Sequence, residues 1–278
     1  MSGQPILIMA GGTGGHVFPA LAVAETLRER GVEVVWMGTH RGLESDVVPK
    51  AGFAMEWVTV AGLRGKGLVG WLLAPLKLSR AVWQALRIFR RRKPAAVLGM
   101  GGFVTGPGGF VALLLRKPLL LHEQNTIPGL TNRLLARFAR RVMEGFPGTF
   151  RGLANVTDTG NPIRAELTAL APPEQRLAGR DEPLRLLIIG GSLGARALNE
   201  TVPQAVALLP EERRPNIWHQ TGKRNLDEAR REYREAAVEA RVEPFIDDMA
   251  EAYGWADLVL CRAGALTVSE LAAVGGGS

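Results

Sequence analysis

Apolar residues fall along this chain in short unbroken runs that alternate with helical stretches. That order predicts strands buried on both faces rather than strands with one wet side. Residues 5–10 form the first run, and residues 17–30 follow with Val17, Leu21, Ala24 and Leu27 on one helical face, ended by Gly31. Residues 32–37 predict a second strand, 43–50 a short helix and 56–60 a third strand, after which a long basic helical region leads to a strand at 96–98. A helix at 109–115, a strand at 119–122, a helix at 130–139 and a last short strand at 141–144 continue the βαβ alternation of a parallel sheet.

The pattern breaks near Gly160-Asn161-Pro162, and a passage rich in proline, alanine and charge runs to Glu182. A fresh strand at 184–189 then enters a glycine turn, followed by a helix at 195–208, a strand at 216–220, a helix at 226–240, strands at 242–246 and 258–261, and a helix at 265–273. Two α/β domains are expected, 1–163 and 164–278, each opening with strand, glycine-rich turn and helix. The end, Gly275-Gly276-Gly277-Ser278, reads as a flexible linker, and a sheet built to this point wants further strands, so the second domain is expected to be incomplete.

Composition narrows the class. Of 278 residues, 46% are hydrophobic and 22% charged, enough to bury real cores and to exclude disorder as the main state. The single cysteine, Cys261, cannot form an internal disulfide and no charged-then-apolar leader opens the chain, so a reducing cytosol fits and a secreted disulfide scaffold does not. The longest uncharged stretch, 94–115, is interrupted by Gly99, Gly101, Gly102, Gly106, Pro107, Gly108 and Gly109 and reads as strand, glycine loop and helix rather than a membrane span. The net charge of +7 is unevenly spread: residues 1–163 hold 20 Lys+Arg against 9 Asp+Glu, and the remainder 14 against 18. No acid lies between Glu56 and Glu123, a field that attracts a polyanion or an anionic membrane surface.

Candidate chemistry sits where strands meet helices. Gly11-Gly12-Thr13-Gly14-Gly15-His16 lies between a buried strand and a helix, where close backbone approach, unpaired amides and the helix dipole favour an anion. It lacks the third glycine of the dinucleotide fingerprint and the GK[ST] of a P-loop, which strains a nicotinamide oxidoreductase reading. A tight turn needing glycine only for packing is the competing reading. His16 either takes a hydroxyl proton or packs at the helix start. Gly190-Gly191-Ser192-Leu193-Gly194 repeats the same logic with a hydroxyl added, fitting a nucleotide diphosphate. Glu270 either chelates ribose hydroxyls or complements a helix dipole. His122-Glu123-Gln124-Asn125 ends an apolar strand at a ligand-binding edge, with Glu123 and Asn125 alternatively capping the next helix. Asp247-Asp248 reads as a helix start, and no metal is assigned. Leu68, Leu72, Leu76 and Trp83 recur beside Lys77 and Arg80, an interfacial pattern split by Pro75. It suits peripheral membrane contact or a core-facing helix with a basic back, whereas nucleic acid is disfavoured for want of a binding module.

Taken together, GGTGGH (residues 11–16), GLRGKG (62–67), GMGGFVTGPGG (99–109), HEQN (122–125), GNPIR (160–164), GGSLGAR (190–196), FIDDM (245–249) and CRAGALTVSE (261–270) closely resemble the MurG-type peptidoglycan glycosyltransferases of bacteria, in order and over essentially the whole chain. The resemblance implies a GT-B fold of two Rossmann-like domains around a cleft. It also implies inverting transfer of N-acetylglucosamine from UDP-GlcNAc to the C4 hydroxyl of the muramyl sugar of lipid I, giving lipid II at the cytoplasmic face of the inner membrane, with no cofactor. By matching position, Thr13, Gly14 and Gly15 would touch the donor, Asn125 its sugar, and Arg164 would lie at the hinge within reach of it. Ser192 would hold the diphosphate, Ile246 would offer its backbone to uracil, and Ala265, Leu266, Thr267, Val268, Ser269 and Glu270 would surround phosphate and ribose. His16 is the candidate base. The family continues past this chain's last residues, so the alternative expectation is a membrane- or nucleotide-binding fragment without turnover.

Overall fold

The computed structural model describes residues 3–60, 74–180, 183–191 and 194–275. The chain forms two compact units, Met1–Pro162 and Ile163–Ser278.

The first unit runs β1 (Ile6–Met9), α1 (Gly14–Glu29), β2 (Val34–Gly38), α2 (Glu44–Lys50), β3 (Ala54–Trp57), α3 (Ala74–Arg92), β4 (Ala96–Gly99), α4 (Thr105–Leu114), β5 (Leu119–Glu123), α5 (Leu130–Leu135), β6 (Arg141–Glu144) and β7 (Val156–Asp158). Its seven strands lie in the order β3-β2-β1-β4-β5-β6-β7, all parallel, with Ile6 paired to Val34 on one side and Ala96 on the other. Helices cover both faces, which is why the central strands β1, β2 and β4 are apolar along their length. One face buries Leu7, Met9, Val97 and Leu121 under α3 and α4, and the other buries Ile8, Trp36 and Leu98 under α1.

Several expectations shift. The third strand is Ala54–Trp57 rather than 56–60, and β7 was unforeseen. The helix expected at 109–115 starts earlier: α4 begins at Thr105 and takes in Gly106, Pro107 and Gly108, which were read as loop, while Gly101 and Gly102 stay in the turn before it. A Cβ on Gly108 would meet the Met37 methyl at 2.5 Å and one on Gly109 would collide with Leu135, so these glycines let the helix lie close on the sheet and on α5. The helix expected at 130–139 stops at Leu135.

The second unit holds α6 (Ala165–Thr168), α7 (Pro173–Arg176), β8 (Arg185–Ile189), α8 (Arg196–Ala207), a 3₁₀ turn (Glu211–Arg213), β9 (Asn216–Gln220), α9 (Leu226–Glu235), β10 (Arg241–Glu243), α10 (Met249–Trp255), β11 (Leu258–Cys261) and α11 (Ala265–Ala273). Its four parallel strands are ordered β10-β9-β8-β11. The passage read as a linker carries α6 and α7, and Arg176 donates to the carbonyls of Tyr253 and Val274, tying it to this unit. The helix expected to reach 240 ends at Glu235, with Ala237 left-handed at φ +50°. The strand expected at 242–246 stops at Glu243 because Pro244 has no N–H for a ladder. Asp248 does cap a helix, accepting from Glu251 N at 2.8 Å.

Candidate functional site

In an open parallel sheet, ligands bind where strand order reverses, outside the carboxyl ends of the two strands at that point. In the first unit these are β1 and β4, and the loops that follow them are GGTGGH and GMGGF. Gly12 needs its φ of +99° to turn the chain into α1, and Thr13 stands at the N-cap without a side-chain cap bond, exposed next to the first-turn amides of Gly14 and Gly15. One feature was invisible in the sequence. Glu44 is fully buried behind this loop, where Oε2 accepts from Gly12 N at 2.9 Å and Oε1 accepts from Thr39 N and Oγ1 at 2.9 and 2.8 Å. The Gly12 amide is therefore committed to a carboxylate, and an anion at this loop meets the amides beyond it.

His16 sits half-buried in the first turn of α1. A Cβ on Gly101, at φ +101°, would lie 2.7 Å from His16 Nδ1 and 2.8 Å from Cε1, so the glycine backbone forms the seat for the imidazole. His16 Nδ1 is 2.9 Å from Gln124 Oε1, and Gln124 Nε2 is 3.1 Å from His122 Nδ1. His122 Nε2 in turn is 3.0 Å from the Gly160 carbonyl oxygen. Burial holds His122 below the ordinary imidazole pKa, against the smaller opposing effects of Gly160 and Glu123.

The rest of the HEQN segment divides by burial. Glu123 is buried and accepts four hydrogen bonds, from Asn125 N and Nδ2, Gly129 N and Asn132 Nδ2, at 2.9–3.2 Å. It organises the turn into α5, the capping role weighed above. Asn125 is exposed, and because its Nδ2 donates to Glu123, its Oδ1 is left to accept from a ligand hydroxyl.

In the second unit strand order reverses between β8 and β11. Ser192 and Leu193 lie outside the described residues, so the diphosphate role expected of Ser192 has no geometry here. Around them the turn is tight: Gly194 N donates to Gly191 O at 2.9 Å, and a Cβ on Gly194 would lie 2.7 Å from Asn225 Nδ2 and collide with Thr221 O. A Cβ on Gly191 would lie 3.6 Å from an Arg262 guanidinium nitrogen, so the loops after β8 and β11 adjoin, with a cation beside the amides. The nine-residue α11 starts behind Gly264, which provides no side-chain cap, and presents the first-turn amides of Ala265, Leu266 and Thr267 beside exposed Arg262. Val268 is exposed, and Ser269 Oγ donates back to Ala265 O at 2.9 Å. Ile246 is buried in this unit's core.

Glu270 is buried, and its Oε1 accepts from Arg164 Nη2 at 3.0 Å and its Oε2 from the Tyr253 hydroxyl at 3.2 Å. Desolvation raises its pKa, with Arg164 working the other way. Both oxygens already hold protein donors, so ribose hydroxyls would have to claim the remaining lone pairs. Among the described residues no cluster of three or more His, Cys, Asp or Glu could hold a metal ion.

On the first unit, α3 is two-faced. Ala81, Ala85, Ile88 and Phe89 are buried against the sheet, while Leu76, Lys77, Leu78, Arg80 and Trp83 are exposed, with the Arg87 guanidinium 4.8 Å above the Trp83 ring. Leu68, Leu72 and the GLRGKG segment lie outside the described residues. Phe110 and Leu114 on α4, Leu130 and Leu134 on α5, and Phe138 beyond it, are exposed as well. No helix among the described residues is long and apolar enough to cross a membrane.

Comparison with known proteins agrees across both units. The glycosyltransferase family 28 N-terminal domain matches residues 6–144 and the family 28 C-terminal domain residues 185–276. A Nitrosococcus oceani protein named UDP-N-acetylglucosamine--N-acetylmuramyl-(pentapeptide) pyrophosphoryl-undecaprenol N-acetylglucosamine transferase is 62% identical over 98% of this chain and 76% of its own length. The same-named protein of Alkalilimnicola ehrlichii is 60% identical over the same shares. The crystal structure of Acinetobacter baumannii MurG superposes with a TM-score of 0.74 at 41% identity, covering 98% of this chain and 77% of that one.

Proposed function

Because this chain belongs to glycosyltransferase family 28 and has its GT-B fold, we propose that it is an inverting hexosyltransferase, moving N-acetylglucosamine from UDP-GlcNAc to the C4 hydroxyl of the muramyl sugar in lipid I to make lipid II for peptidoglycan. The observation that carries this reading is the 60–62% identity, over 98% of this chain and 76% of their length, to relatives named for that transfer.

The chemistry follows from the groups at each switch point. His16 takes the proton of the acceptor hydroxyl through Nε2 as the oxygen attacks the anomeric carbon of GlcNAc from the face opposite UDP. The bond from that carbon to the β-phosphate oxygen breaks, UDP leaves with the electron pair, and the configuration inverts without a covalent sugar intermediate. General-base assistance of this kind contributes about 10²–10⁴ in rate. The departing diphosphate is met by the first-turn amides of α11, which need no reorganisation as charge develops, by Arg262 and by the Ser192 hydroxyl. Ile246 offers main-chain groups to uracil, and Glu270 takes the ribose once its bond with Arg164 yields. Thr13, Gly14, Gly15 and Asn125 serve the sugar end of the donor.

Peripheral attachment to the cytoplasmic face of the inner membrane is the companion proposal. It is supported by exposed Leu76 and Trp83 beside Lys77 and Arg80 on a unit with a strong basic excess. The function is tested by following UDP release and lipid II from UDP-GlcNAc and lipid I, with the N. oceani relative as the positive control. Turnover that needs both substrates is the expected result. Nucleotide or vesicle binding without lipid II, where the control turns over, would refute it in favour of a binding fragment.

A further inference from the structure

The four groups linked from α1 to the end of the first unit have only one consistent assignment of protons. The Gly160 carbonyl can only accept, so His122 Nε2, 3.0 Å away, must carry a hydrogen. In a neutral imidazole the other nitrogen is then a lone pair, and His122 Nδ1 accepts from the Gln124 amide at 3.1 Å. The same Gln124 Nε2 lies 3.4 Å from the His122 carbonyl oxygen, which fixes the amide orientation independently. Gln124 Oε1 is thereby turned to His16 and can only accept, so His16 Nδ1, at 2.9 Å, must be the donor.

We propose that Gln124 and His122 are positioning residues that lock His16 in the Nδ1–H tautomer, so that its Nε2 lone pair faces outward to receive the proton of the acceptor hydroxyl. The inference rests on the base role given to His16 above and adds to it the atom that does the work. A free neutral imidazole favours the opposite tautomer, with its hydrogen on Nε2, where it would donate to the incoming hydroxyl instead of accepting from it. The aligning partner is a neutral amide, itself held by a buried neutral imidazole, so orientation is supplied without a negative charge that would fix a proton on the ring. Gly101 contributes by leaving room for the ring.

The test is ¹⁵N NMR of histidine-labelled full chain above the titration range. With only four histidines, a His→Asn variant at each assigns the signals. The expected spectrum shows His16 protonated at Nδ1 and bare at Nε2, and His122 the reverse. Gln124→Ala should move His16 toward the Nε2–H form and lower kcat about tenfold or more while leaving KM for UDP-GlcNAc unchanged, against about 10²–10⁴-fold for His16→Ala. Gln124→Glu, which still offers an oxygen to Nδ1, should restore the Nδ1–H form, with kcat recovered only at higher pH because the added negative charge holds a second proton on the ring. An Nε2–H His16 in the unmodified protein, or a Gln124→Ala protein with unchanged tautomer, overturns the proposal. Should the tautomers be as stated while His16→Ala keeps full kcat, the base role is what fails. UDP affinity and thermal unfolding, measured on each variant, identify any that has merely lost its fold.

Discussion

Replacing Gly101 by alanine tests how closely the loops of the candidate site are fitted around His16. The new Cβ would lie 2.7 Å from Nδ1 and 2.8 Å from Cε1 of a ring that cannot be approached within 3.4 Å without giving way. The imidazole must therefore retreat by about 0.7 Å; along the Gln124 bond, a shift of that size stretches 2.9 Å beyond hydrogen-bond range. A misplacement approaching 1 Å at a reacting group costs about 10²-fold in rate, and the general-base contribution bounds the loss at about 10⁴. The φ of +101° adds a separate cost of about 1–3 kcal/mol in stability for a residue with a side chain. Steady-state release of UDP at saturating UDP-GlcNAc and varied lipid I should thus show kcat falling about a hundredfold. UDP affinity by calorimetry should be unchanged, because the nucleotide loops belong to the other unit. A Gly101→Ala enzyme within about threefold of the unmodified kcat would refute the seat described for His16.

Glu44→Ala should cost about 3–5 kcal/mol in urea unfolding, since it strands the donors of Gly12 and Thr39 and leaves a cavity; a loss below about 1 kcal/mol would contradict the arrangement. Burial beside Tyr233 pushes the His219 pKa from 6.5 down to about 4. A folded pKa below the unfolded one gives stability that is present above pH 6.5 and lost as pH falls toward 4, a swing of about 3 kcal/mol. Unfolding of the native protein and of His219→Gln across that window should diverge by this slope, and parallel slopes would refute it. Removing Lys77 and Arg80 together should weaken sedimentation with anionic vesicles by about 2 kcal/mol, roughly thirtyfold, without affecting neutral vesicles; a change under about threefold would place the membrane face elsewhere.

Much of the fold was legible because parallel strands buried on two sides announce themselves as apolar runs. The strands Asn216–Gln220 and Leu258–Cys261 and the helix Ala265–Ala273 fall at the bounds read from the chain. The strand Val156–Asp158 has three residues at a sheet edge and only one apolar side chain, too little to register as a pattern. The helix Met249–Trp255 was signalled by its cap alone. Gly106 and Gly108 misled because glycine marks loops and close helix packing alike, and at Gly108 only the position of Met37 tells them apart. Among candidate site residues, the glycine turns and His16 were visible as local motifs. The parts played by Glu44, Gly101 and Gln124 were not, since each depends on distances between segments far apart in sequence.

The buried carboxylate of Glu44 links the fates of three glycines, two of them close to it in sequence and one thirty-three residues away. A methyl group on Gly11 would come within 2.6 Å of its Oε1, one on Gly38 within 2.7 Å of its Cγ, and one on Gly42 would overlap the carboxylate outright. Gly11 and Gly42 are therefore small on account of a single neighbour, whereas Gly38 is also closed off by the Met55 methyl at 2.9 Å, so Gly11, Gly42 and Glu44 should drift through evolution as a group rather than singly. Shortening the acid to aspartate frees space at Gly11 and Gly42 at once, so alanine at either position should be far better tolerated in that background than alone. Libraries that vary this loop one residue at a time will miss such combinations.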